Sequence, residues 1–220
     1  MKSKISVKNI AVVGMLAAMS FVAVLLGKVI PNVAGFLSYD PKDAIVAISG
    51  FLLGPVYAVI ISLLVSFVEM FTISETGLYG FIMNFISTAS FALLAALLYK
   101  KMRSYQGAVL GLVTGAIFMT ATMLLWNWAI TPMYMGVSRD VVEGMLLPIF
   151  LPFNAIKGGL NAALTLLLYK PLVTTLRRAK LVPASPKSDG KAKFRLAFLW
   201  IGLGLLAVCT VLFLFLIGVI

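Results

Sequence analysis

The chain has 220 residues, of which 62% are apolar and 11% are charged, with a mean hydropathy of +1.09 and a formal net charge of +11. Soluble domains are about half apolar and a quarter charged, so the composition excludes an ordinary water-soluble protein and indicates an all-α integral membrane protein. With no histidine and one cysteine, a Cys/His metal site and a disulfide framework are also excluded.

The first apolar run, residues 10–29, follows three lysines near the N-terminus. A membrane-spanning helix needs roughly 20 apolar residues, and this run reaches that length. A basic segment followed by an apolar run is also typical of a signal peptide. Because no small-residue cleavage site follows, we expect a retained transmembrane helix.

The second apolar stretch, residues 44–71, is too long for one ordinary span and contains Gly54-Pro55. It forms either one kinked helix or two helices, residues 43–53 and 55–71, joined by a turn. With a turn and a cytoplasmic N-terminus, residues 100–103 and most of the 18 basic residues lie on the cytoplasmic side. Since the positive-inside rule requires this, we predict the turn.

Further helices are predicted at residues 79–99, 107–130, 145–172 and 194–220. The first six helices form a compact transmembrane bundle, residues 1–179. Residues 180–193 contain two prolines, two serines and a glycine, and we expect a cytoplasmic linker. Residues 194–220 form an additional C-terminal transmembrane helix facing lipid, in which Cys209 is a small apolar residue against lipid or a neighbouring helix.

The basic excess follows from this orientation and from contact with anionic membrane lipid, so no nucleic-acid partner is expected. Glu69 is the only acid that this topology places inside the membrane, near a helix end, which disfavours a proton relay. No nucleophile lies beside a base and no phosphate-binding loop is present. The sequence therefore predicts a non-enzyme without metal or organic cofactor, whose uphill transport needs a partner.

Polar side chains gather in the outer half of the predicted bundle, where a charge at mid-helix costs about 2.5–3.5 kcal/mol. They include Asn84, Asn127, Asn154 and Lys157. The last two are three residues apart and share one helix face, which Asn161 continues. This convergence predicts a polar pocket that opens to the outside.

Proline and small residues add two further features. Pro148 and Pro152 should bend or interrupt the outer end of the sixth helix and free backbone carbonyls to face a cavity. In the first helix, Gly14 and Ala18 form a flat stripe that another helix can approach closely. Packing of this stripe inside the bundle is the alternative.

Each polar residue also has an ordinary interpretation. Intramembrane asparagines often hydrogen-bond across helices, and Lys157 could extend its ammonium group to the headgroups. Trp126 and Trp128 suit an interfacial aromatic belt. Asp40 and Asp43 could cap the second helix.

Four stretches resemble the substrate-binding S components of energy-coupling-factor (ECF) vitamin transporters, most closely those specific for riboflavin. They are Tyr-Asp-Pro-Lys-Asp at 39–43, Gly-Phe-Leu-Leu-Gly-Pro at 50–55, Met-Asn-Phe at 83–85, and Leu-Pro-Phe-Asn-Ala-Ile-Lys-Gly-Gly at 151–159. Their order within six helices makes the resemblance fairly specific, over residues 4–178. A seventh helix is not part of that family's pattern.

The resemblance implies a subunit of the bacterial cytoplasmic membrane that binds vitamin from outside. It implies docking, through Gly14 and Ala18, on a membrane coupling protein driven by two ATP-binding subunits. The family usually has an alanine pair there, so Gly14 is a departure that keeps the surface small. The implied ligand contacts are Leu37, Tyr39, Asp40, Asn84, Asn127, Asn154 and Lys157.

Riboflavin suits these side chains, because amides can pair with the uracil-like edge of the isoalloxazine ring. Since the site is not rich in positive charge, we expect riboflavin rather than its phosphate. The alternatives are an S component for thiamine, biotin or a folate, a membrane-embedded enzyme, and a scaffold subunit whose asparagines only join helices.

Overall fold

The computed structural model describes the backbone of residues 7–182 and 192–219. It describes the side chains of residues 7–182 and 199–219. The described residues form α1 (Val7–Gly27), α2 (Lys42–Leu53), α3 (Pro55–Thr72), α4 (Gly77–Met102), α5 (Tyr105–Met135), α6 (Arg139–Arg178) and α7 (Ala192–Leu216). Six of them, all except α2, are long and apolar enough to cross a membrane. The all-α membrane fold is thus confirmed, whereas residues 183–191 of the predicted linker lie outside the described residues.

Gly54 separates α2 from α3, which confirms the predicted turn. Its φ of +107° is open to glycine but costly for other residues, and Pro55 follows as the first residue of α3. Because Pro55 needs no hydrogen-bond partner for its nitrogen, it starts a helix at no cost. The chain therefore reverses here without leaving a buried amide unpaired.

The short helix α2 is the centre of the bundle. It has 12 residues, which rise only about 18 Å, and it contacts α1, α3, α4 and α6. Every residue from Lys42 to Gly50 is buried. The charged start of α2 consequently lies inside the protein, and the preceding loop has to fold inward to reach it.

The loop between α1 and α2, residues 28–41, is compact. Val33 and Leu37 exchange two backbone hydrogen bonds, of 2.9 and 3.0 Å. Between them, Ala34 and Gly35 have positive φ angles, as in the turns of tight hairpins. This reversal brings Leu37, Tyr39 and Asp40 to buried positions.

Helix α6 runs unbroken over 40 residues. The sequence predicted either a bend or an interruption at its prolines, and the interruption does not occur. The turn Leu146–Phe150 is π-helical, and the amide of Leu151 donates to the carbonyl of Leu146. This wider turn accommodates Pro148 and Pro152, whose nitrogens cannot donate. The helix therefore begins at Arg139, six residues before the predicted start.

Candidate functional site

A polar cavity of about 190 Å³ lies among the α1–α2 loop, the α3–α4 connection and helices α4, α5 and α6. Six of the seven predicted contact residues line it: Leu37, Asp40, Asn84, Asn127, Asn154 and Lys157. Met83, Met123 and Phe153 supply apolar wall. The structure thus brings together residues that are up to 120 positions apart in the chain (37 to 157).

Tyr39 is the predicted residue that does not line the cavity. It is buried behind the wall, where its hydroxyl donates to Oδ1 of Asn161 at 3.4 Å. Asn161 in turn donates to the backbone carbonyl of Asp40 at 3.1 Å. Tyr39 therefore supports a lining residue rather than facing the cavity itself.

Lys157 is the charged centre of the site. Its Nζ lies 3.1 Å from a carboxylate oxygen of Asp40 and 3.8 Å from one of Asp43, and donates to Oγ of Ser87 at 3.5 Å. Only 5% of the residue is exposed, so the alternative of an ammonium group reaching the headgroups is wrong. Burial alone raises the pKa of the Asp40 carboxyl, but the ammonium groups of Lys157 and Lys42 outweigh burial and hold it below its ordinary value.

Asn127 and Asn154 do not join helices in the described structure. The amide of Asn127 donates to the carbonyl of Met123 at 2.7 Å, and its oxygen accepts from Thr131 at 2.8 Å. The amide of Asn154 donates to the carbonyl of Phe150, at the end of the π-helical turn, at 2.8 Å. Each amide is anchored to its own helix, beside the cavity.

Sequence reasoning missed a buried ion pair between Lys42 and Glu69, of which Glu69 lines the cavity. Nζ of Lys42 lies 2.6 and 2.7 Å from the two carboxylate oxygens of Glu69, and Asn84 donates to the same carboxylate at 2.8 Å. Lys42 and Glu69 are at most 2% exposed. The available indication was the charged start of a helix too short to span the membrane.

The predicted capping of α2 by aspartates is wrong. No side chain caps the start of α2, and Asp43 accepts instead from Thr88 at 2.7 Å. Three carboxylates, of Asp40, Asp43 and Glu69, share the interior with two lysines. By formal count this buried cluster has one more acidic than basic side chain.

The remaining predicted residues lie elsewhere on the bundle. Gly14 and Ala18 are exposed on the outer face of α1, with nothing within 4 Å of the position of a Cβ on Gly14. Packing inside the bundle is therefore wrong for this stripe. Trp128 is 40% exposed and donates to Glu143 at 2.8 Å, which suits a position at the membrane boundary.

The cavity lies within the part of the chain that matches a known family. Residues 8–169 match the model for the substrate-specific component of ECF transporters. The riboflavin transporter RibU of Staphylococcus aureus (strain TCH60) is 29% identical over 178 residues, which cover 78% of this chain and 93% of the relative. The riboflavin transporter FmnP of Bacillus subtilis (strain 168) is 30% identical, with 69% and 85% covered.

A solved structure is also similar. It is described as the S component of a bacterial ECF transporter, and its chain is 30% identical with a TM-score of 0.66. The match covers 98% of that chain and 78% of this one. The cavity residues fall within the family match, whereas α7 follows its end at residue 169.

Proposed function

This chain belongs to the family of ECF transporter substrate-specific components, and we propose that it is the subunit that binds riboflavin for uptake. The observation that carries the proposal is one cavity lined by six residues at which the family resemblance implies ligand contacts. The family consists of multi-pass membrane transporter components, not enzymes. A separate coupling protein and two ATP-binding subunits would energise transport.

The cavity wall suits a flavin. An isoalloxazine ring has two apolar faces and an edge that both donates and accepts hydrogen bonds. Met83, Met123 and Phe153 can pack against the faces. Asn127 and Asn154 can meet the edge, because an amide offers both a donor and an acceptor.

The charges of the wall favour riboflavin over its phosphate. Asp40, Glu69 and Glu75 line the cavity together with Lys28 and Lys157. Lys157 is paired with Asp40 and Lys42 with Glu69, and Glu75 offsets Lys28, so the wall has no excess positive charge to compensate a phosphate. Tighter binding of the phosphate than of riboflavin would contradict this preference.

We expect purified protein in detergent to quench riboflavin fluorescence with one site per chain. Asn154→Ala should weaken binding about tenfold, since a lost hydrogen bond in a desolvated site costs about 1–3 kcal/mol. Gln106→Ala, which removes an exposed amide outside the cavity, should leave the affinity unchanged. Thiamine and biotin serve as competing ligands.

The volume of the cavity adds a kinetic expectation. Ligand pockets usually enclose about 300–1,000 Å³ and this cavity encloses about 190 Å³, so we expect the wall to adjust when a three-ring flavin binds. Stopped-flow quenching should therefore show a step whose rate saturates with riboflavin concentration. A folded, ligand-stripped sample that never quenches, or that prefers another vitamin, refutes riboflavin as the substrate.

The proposed orientation places the N-terminus in the cytoplasm and the cavity on the outside. The basic residues Lys100, Lys101 and Arg103 at the α4–α5 connection support it through the positive-inside rule. Right-side-out vesicles should quench external riboflavin without ATP. Quenching by inverted vesicles alone would contradict this orientation.

We propose the exposed stripe of Gly14 and Ala18 as the docking surface for the coupling protein. Gly14→Trp should abolish co-purification with the coupling protein and ATP-dependent uptake, because a large side chain prevents close helix approach. Riboflavin binding by the isolated subunit should persist. Leu125→Trp on α5, which replaces another exposed side chain, is the matched control, and equal losses from both variants would contradict the assignment.

A further inference from the structure

Helix α7 packs against α6 along one face, contrary to the prediction of a helix that simply faces lipid. Gly202, Cys209 and Phe213 are buried and recur at helical spacing. At Gly159 of α6 the two helices come so close that a Cβ would lie 2.6 Å from Sγ of Cys209. Since α7 follows the part of the chain that matches the family, its packing is a feature of this protein beyond that match.

The same face of α7 reaches the loop that forms the cavity wall. The ring of Phe213 lies 5.9 Å from the ring of Tyr39, with an angle of 59° between their planes. Both side chains are about 5% exposed. The Phe213 ring therefore covers one side of Tyr39, whose hydroxyl is held by Asn161 on α6.

Tyr39 is joined to the cavity through short contacts. It immediately precedes Asp40, whose carbonyl accepts from Asn161 at 3.1 Å and whose carboxylate pairs with Lys157. If the Tyr39 ring is free to turn away, this stretch of the loop loses one of its buried anchors. The position of the Asp40 carboxylate then becomes less well defined.

We propose that α7 is a positioning helix for the substrate site: Phe213 holds Tyr39 in place and thereby keeps Asp40 against Lys157. This inference rests on the proposed function of the cavity as the riboflavin site. Phe213 touches no cavity surface, so its effect on binding passes through Tyr39. An aromatic contact of this kind is worth enough to change affinity about twofold to tenfold.

The first test needs no ligand. The Cβ built on Gly159 lies 3.9 Å from Cβ of Cys209, within the range of disulfides. Because Cys209 is the chain's one cysteine, Gly159→Cys should oxidise to an internal disulfide that removes both thiols from maleimide labelling after denaturation. Gly204→Cys is the control, because a Cβ at this position has no neighbour within 4 Å, and it should keep both thiols. If Gly159→Cys forms no disulfide, the placement of α7 is overturned.

The second test measures riboflavin affinity. Phe213→Ala should weaken binding about twofold to tenfold, and Phe213→Leu should weaken it less. Phe215→Ala is the control, because it truncates a side chain that is 72% exposed, and it should weaken binding by less than twofold. In a Tyr39→Ala background, Phe213→Ala should have no further effect, because the two residues act as one unit. If Phe213→Ala does not fold, it is measured in the disulfide-linked Gly159→Cys protein, where α7 stays attached.

The outcomes separate the two proposals. Wild-type protein that binds no riboflavin ends the proposed function, and with it the role of α7 in binding. Wild-type protein that binds riboflavin while Phe213→Ala binds equally well overturns the positioning role alone. An equal loss from Phe213→Ala with and without Tyr39 also overturns it, since the effect then does not pass through that residue.

Discussion

Lys157→Met is expected to lower riboflavin affinity by roughly 10- to 100-fold, the largest binding effect of any single change at the site. The ammonium group neutralises Asp40 at 3.1 Å and lies 3.8 Å from Asp43. Methionine preserves the volume of the side chain and removes the charge. Loss of a hydrogen bond from a charged donor to the ligand costs about 1.5–3 kcal/mol, which corresponds to roughly 10- to 100-fold in affinity.

Affinity and stability should respond differently to a second substitution. In Lys157→Met with Asp40→Asn, one uncompensated carboxylate is removed, so part of the lost thermal stability should return. Riboflavin affinity should stay low, because the donor of Lys157 is still missing. Lys170→Met, at an exposed position of the same helix, should change neither quantity, and wild-type affinity in Lys157→Met would remove this residue from the site.

Lys42→Met is expected to cause the largest loss of stability. Its ammonium group pairs with Glu69 at 2.6 Å, and both side chains are at most 2% exposed. Methionine leaves the Glu69 carboxylate buried with Asn84 as its remaining hydrogen-bond donor. We expect a loss of about 3–5 kcal/mol, seen as a fall of the apparent Tm on the order of 10 °C in ligand-free detergent samples.

A double variant tests whether charge, not packing, causes this loss. In Lys42→Met with Glu69→Gln, the interior contains no unpaired charge at this position, and the glutamine oxygen can still accept from Asn84. Much of the lost Tm should therefore return. Lys101→Met, an exposed change, serves as the control. A double variant that melts below Lys42→Met would mean that packing, not burial of a single charge, dominates.

Much of the fold could be predicted because its causes are local in the sequence. A helix that spans a membrane is an apolar run of about 20 residues, and the runs beginning at residues 10, 79 and 107 correspond to α1, α4 and α5. Gly54-Pro55 allowed a turn or a kink, and the distribution of the basic residues decided for the turn. The polar lining was predictable because an asparagine or lysine side chain is costly in hydrocarbon, so its presence there indicates a functional site.

The sequence by itself therefore determined the class of protein, its helices and the end of the bundle where polar side chains converge. Only the tertiary structure decided which charges pair, because Lys42 reaches Glu69 across 27 residues and Lys157 reaches Asp40 across 117. It also decided that Tyr39 lies behind the wall and that α7 packs on α6. Hydrophobicity along a chain fixes which segments enter the membrane, but partners within it depend on how helices distant in sequence pack together.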